Sequence, residues 1–130
     1  INLLSQGIAL APRAEEMRLM SARIYFEQGA AMQALNVLKP VNDSQQVELQ
    51  ALLASIAAEA NEHDTAIDAY RKLLLLEPNA GRWWLGLAVS LDSQSQFSSA
   101  SSAYSQAIAA GNLSNNAIKF ARQRVSELGE

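Results

Sequence analysis

Apolar residues recur at spacings of three and four along most of the chain: Leu4 and Ile8; Leu19, Ala22 and Phe26; Leu49, Leu52, Leu53 and Ile56; Ile67, Tyr70 and Leu74; Trp84, Leu87 and Leu91; Ala100, Tyr104 and Ile108; Ile118, Ala121 and Val125. An α-helix turns by about 100° per residue, so this spacing lays an apolar stripe down one side of it. The stripes predict helices over about 1–10, 15–27, 31–38, 45–60, 64–76, 80–94, 97–110 and 114–128. Pro12, Pro40 and Pro78 fall between these segments, where the lack of an amide proton interrupts no helical hydrogen bond.

A longer period underlies the stripes. Ala22, Ala54 and Ala88 form one column and Ala34, Ala66 and Ala100 a second, each stepping by 32 and then 34 residues with a constant gap of 12. Small side chains at such positions let two antiparallel helices approach closely, because anything larger would push the axes apart. Leu38, Tyr70 and Tyr104 follow the second column by four residues and are placed to fill the gap to the next unit. Gly29, Asn61 and Ser95 follow the first column by seven and mark the turn of each hairpin; Gly and Asn suit the left-handed conformation that ends a helix, and Ser suits it less well.

The third unit reads Trp84, Leu87, Ala88, Leu91, Ala100, Tyr104, and the second reads Leu53, Ala54, Ala57, Ala66, Tyr70, Pro78. With these residues the chain resembles the tetratricopeptide repeat family over about three units, from Glu15 to Asn112. The expected fold is all-α: a right-handed α-solenoid of antiparallel helix pairs, a single domain of 1–130. It divides into a half repeat at 1–14, repeats at 15–46, 47–80 and 81–114, and a capping helix at 115–130. Leu4, Ile8 and Pro12 repeat the spacing of Tyr70, Leu74 and Pro78, so the half repeat reads as the second helix of a preceding unit in a longer chain. The first unit departs from the pattern, with Pro40 only six residues after Ala34, and the tryptophan column holds Arg18 and Gln50 in the first two units.

Composition narrows the function. Ala and Leu supply 41 of the 130 residues, against 13 for Val, Ile and Thr, which disfavours strands. A formal net charge of −3 gives no basic footprint for nucleic acid. The longest apolar run, Trp83 to Val89, is far short of the roughly 20 residues that cross a bilayer, so no membrane insertion by this chain is expected. There is no cysteine, no glycine-rich phosphate loop and no nucleophile elbow. The single histidine lies in Glu62-His63-Asp64, which reads as a solvated helix start with Asp64 as its cap, not as a metal site. No catalytic residue, metal or cofactor is expected.

What remains is a binding surface. In solenoids of this kind the first helices of successive units line the concave face. Those stripes are Glu16, Leu19, Arg23 and Phe26; Glu48, Ala51, Ser55 and Ala58; and Arg82, Leu85, Val89 and Asp92. This mixture of apolar and charged positions over a small-residue floor suits a partner helix or extended peptide better than a metabolite. Lys and Asn clamps for a C-terminal carboxylate, known in chaperone-adaptor members of the family, are absent from Leu19, Arg23, Ala51 and Ser55. Trp83 either shields the Leu74–Leu76 ridge or anchors a partner.

The expected function is therefore a non-enzymatic protein–protein scaffold. Two other readings are an adaptor domain for a catalytic domain elsewhere in a longer chain, and a module that forms homodimers through the half repeat. The segment from Arg82 to Gln94 is similar to the corresponding stretch in tetratricopeptide proteins of mannose-sensitive haemagglutinin pilus biogenesis, a type IV pilus system. That resemblance implies a periplasmic repeat domain, an inner-membrane anchor upstream and a part in pilus assembly; without it a cytoplasmic location is expected.

Overall fold

A computed structural model describes residues 14–129. Among them are seven α-helices and no strand: α1 (Glu15–Glu27), α2 (Ala31–Leu38), α3 (Val47–Glu59), α4 (His63–Leu76), α5 (Gly81–Ser93), α6 (Phe97–Ala110) and α7 (Asn115–Leu128). A 3₁₀ turn, Lys39–Val41, follows α2. The helix expected over 1–10, and pairing between copies through the half repeat, lie outside the described residues.

The hairpin turns are built alike. Gly29, Asn61 and Ser95 have φ of 77°, 60° and 61°. In each turn an amide three residues past the helix donates back to the carbonyl five residues earlier: Ala30 to Tyr25 at 2.9 Å, Glu62 to Ala57 at 2.8 Å, and Gln96 to Leu91 at 2.9 Å. This closes the helix C-terminus with the left-handed residue in the middle. Ser95 holds that conformation without glycine's freedom, at a cost of about 1 kcal/mol.

All six column alanines, Ala22, Ala34, Ala54, Ala66, Ala88 and Ala100, are 0% exposed. Around them the core falls into two clusters. One joins Leu35, Leu38, Leu49, Leu53, Ile56 and Leu73; the other joins Ile67, Leu87, Leu91, Tyr104 and Ala121; and Tyr70 packs against both. The Tyr70 ring lies 6.5 Å from that of Trp83 and fills the space beside Gly86 that a Cβ would need. The Tyr104 ring meets Phe120 of α7 edge-on at 5.8 Å. Both tyrosines thus bridge to the following helix, as their column predicts.

Two members of the tryptophan column share a role that their residue types conceal. Trp84 Nε1 donates to the Pro78 carbonyl at 3.1 Å. Gln50, 0% exposed, donates from Nε2 to the carbonyls of Asn42 and Ser44 at 2.9 and 2.7 Å. Arg18 donates to the Val37 carbonyl at 2.9 Å. In the second and third units a donor at this position therefore fastens the linker that precedes its helix. Gln50 replaces Trp where the linker is the longer 42–46 segment left by the short α2, and Lys72 Nζ adds a 2.6 Å bond to the Asn42 carbonyl. The next linker is tied by Asn112, which accepts from the Gly81 amide and donates to the Asn79 carbonyl, both at 2.9 Å.

One local expectation is corrected. Asp64 does not cap α4: the capping position is Glu62, with no side-chain hydrogen bond to the helix. Asp64 Oδ1 instead accepts from Gln94 Nε2 at 2.7 Å, joining the turn regions of successive units. Ser114 does cap α7, accepting from the Ala117 amide at 3.2 Å.

Candidate binding face

The first helices of the three units, α1, α3 and α5, present the residues expected to line the inner face. Arg23 of α1 forms an ion pair with Glu48 of α3, which shows that the two stripes look toward the same side. Glu16 and Ser55 are exposed, and Phe26, Ala51, Ala58 and Leu85 are half-buried. Val89 is 41% exposed. Small side chains on α3 thus stand at the repeat positions where α1 and α5 carry larger groups.

Three of the expected groove residues have other commitments. Leu19 is only 6% exposed and belongs to the core of the first two units, so it contributes to folding and offers little surface. Arg82 is exposed, but its guanidinium lies 4.3 Å from the centroid of the Trp83 ring and 3.6 Å from Glu77. Asp92 is gripped by Arg124 of α7, with Nε to Oδ2 and Nη2 to Oδ1 both 2.8 Å. It also accepts from the Tyr104 hydroxyl at 2.9 Å. Trp83 packs against Tyr70 and the first core cluster and donates from Nε1 to Glu77 at 2.8 Å, so it is half-buried and is not a free anchor.

Hydrogen bonding from Arg124, opposed by partial burial and aided by Tyr104, holds the Asp92 carboxyl below the usual carboxylate range. Burial and the Asp92 carboxylate push the Tyr104 hydroxyl upward. A lowered acid favours the folded state once it is ionised. Its contribution is present above the unfolded value of about 4 and is lost as pH falls through the lower folded value. Asp92→Asn is therefore expected to flatten the acid limb of a stability–pH curve below about pH 4; an unchanged limb in urea titrations would show that this network does not couple to folding.

Sequence reading missed two groups on this face. Glu27 and Glu59 lie four residues after Arg23 and Ser55, hence on the same helical side, and both are exposed. The signal was present in the spacing. On the outer face, a cleft of about 480 Å³ runs between α4 and α6, lined by Leu74, Leu75, Trp84, Leu87, Ser99 and Ser102. No group of three His, Cys, Asp or Glu side chains able to hold a metal occurs among the described residues. No helix among them is long and apolar enough to cross a membrane.

Solved structures share this architecture. A crystal structure of MamA matches with a TM-score of 0.76 and 22% identity, over 96% of this chain and 72% of that one. The type III secretion chaperone SycD of Yersinia enterocolitica, in complex with a peptide of the translocator YopD, matches with a TM-score of 0.71 and 15% identity, over 87% of this chain and 90% of that one. The Sgt2 TPR domain from Aspergillus fumigatus matches at 0.70 and 14%, over 86% and 76%. No protein-family profile and no curated protein matches the chain. The fold is an all-α tetratricopeptide solenoid.

Proposed function

We propose that the chain is a non-enzymatic scaffold that holds a helix or extended segment of a partner protein along the inner face of α1, α3 and α5, in the assembly of a pilus or secretion machine. The observation that carries the reading is that Phe26, Leu85 and Val89 stay partly uncovered at the same repeat positions where α3 carries the small Ala51, Ser55 and Ala58. Such a surface accepts side chains from another polypeptide without first unfolding anything. The peptide carried by SycD, a protein of the same fold, supports this reading, and that protein's place in type III secretion supports the machinery assignment.

Leu85→Ala and Val89→Ala, combined, are expected to weaken binding of an amphipathic helical peptide by about tenfold. The urea midpoint should fall modestly, because half-buried Leu85 packs against the second core cluster, so affinities are compared where both proteins are fully folded. Leu19 is left out of this test because it is core. Unchanged affinity in a fluorescence titration would reject the inner face as the binding site. Undiminished pilus assembly or secretion in cells carrying the double variant would reject the machinery assignment.

A further inference from the structure

The inner face carries negative charge where helix physics disfavours it. Glu27 is the last residue of α1 and Glu59 the last of α3, and neither helix has a basic residue in its final turn. The unpaired carbonyls of a helix C-terminus already bear partial negative charge, so an acidic side chain there is repelled by its own helix. Neither glutamate has an ion-pair or hydrogen-bond partner among the described residues. Near the end of α5 the carboxylate is Asp92, and there Arg124 neutralises it. Of the cations on the face, Arg23 is held by Glu48 and Arg82 lies against Trp83 and Glu77. Among the described residues, the charge on this face without a partner, on Glu16, Glu27 and Glu59, is all acidic.

We propose that the occupant of this face is a basic, apolar polypeptide segment, with Lys or Arg side chains meeting Glu27 and Glu59 and apolar side chains covering Ala51, Leu85 and Val89. This rests on the inner face being the partner site, and adds the chemistry and polarity of the partner. Its cationic side lies over the first two units, where the acidic ends are open. Its apolar side runs from Ala51 of the second unit onto the third, where the acidic end is closed by α7. Helix ends that would be more stable without their glutamates are accounted for by a partner that supplies the missing positive charge.

The probe is a labelled amphipathic helical peptide of Leu and Lys, compared with versions in which every Lys is Gln or Glu. Anisotropy titrations against the full chain would be run at about 20 and about 300 mM salt. The Lys peptide is expected to bind about tenfold tighter than the Gln peptide at low salt, the Glu peptide weakest, and the gap should narrow as salt rises. Glu27→Gln with Glu59→Gln should lower affinity for the Lys peptide about tenfold and leave the Gln peptide unchanged. Because these changes remove a repulsion at two helix ends, the melting temperature should hold or rise, which separates loss of binding from loss of fold. Asp68→Asn, on the exposed side of α4, should change neither.

Equal binding of the Lys and Gln peptides, with both weakened by the Leu85 and Val89 substitutions, would overturn the charge proposal and leave the groove standing. An effect of Asp68→Asn as large as that of the glutamate pair would overturn it too, since diffuse attraction to an acidic chain would then suffice. Binding of every peptide that is indifferent to Leu85 and Val89 would overturn the groove itself.

Discussion

Replacing Ala54 by leucine is expected to destabilise the chain by about 3 kcal/mol, while the same change at the adjacent Ser55 costs no more than about 0.5 kcal/mol. Ala54 is 0% exposed, as is Ala66 in the same core cluster, so three added carbons can be housed only by moving α3 and α4 apart. Interiors packed to crystal-like density take up such volume by strain. Ser55 is exposed on the inner side of the same helix and has room for a larger side chain. Urea unfolding of the two variants checks the contrast. An Ala54→Leu protein as stable as the parent would show that the alanine columns do not mark close helix crossings.

The second large effect lies at Gln50. Truncation to alanine removes both of the Gln50 bonds to the 42–46 linker, strands the Ser44 carbonyl, leaves the Asn42 carbonyl to Lys72 alone, and opens a void in a fully buried position. The expected loss is about 2–4 kcal/mol. Gln50→Leu restores most of the volume but not the donors, and should still cost about 1–3 kcal/mol. Amide exchange should quicken in 42–46 and in the adjoining end of α2 for both variants. A leucine variant with the parent's stability would mean that the position is only a volume filler, and the common donor role of Gln50 and Trp84 would fall.

That position also shows where reading the sequence reaches its limit. The helix spans 15–27, 31–38 and 97–110 match α1, α2 and α6 end for end, because each is bounded by a local signal: a proline, or a residue made to turn left-handed. The buried alanines were legible because close packing repeats with the period of the fold. Gln50 reads as a departure from a tryptophan column, since residue type hides the linker-fastening task that it shares with Trp84 and that depends on where the linker carbonyls end up.

The binding face was legible as a helical side and less so residue by residue. Leu19 has the phase of a groove residue, yet it tips into the core beside α2, and helical phase alone does not distinguish the two. Asp92 looked available because its partner, Arg124, sits 32 residues away on another helix, beyond any local pattern. Glu27 and Glu59 lay in plain view, but their meaning came from two structural facts: they end their helices, and nothing in the described chain neutralises them.

Residue-resolved nuclear magnetic resonance of the isotope-labelled chain, titrated with the leucine–lysine peptide, tests the central claim most directly. Shift changes concentrated at Ala51, Ser55, Ala58, Arg82, Leu85 and Val89 are the expected result. Changes concentrated instead around Leu75, Ser99 and Ser102 in the outer cleft, with the inner helices silent, would contradict the claim that the hollow of this solenoid is where another polypeptide is held.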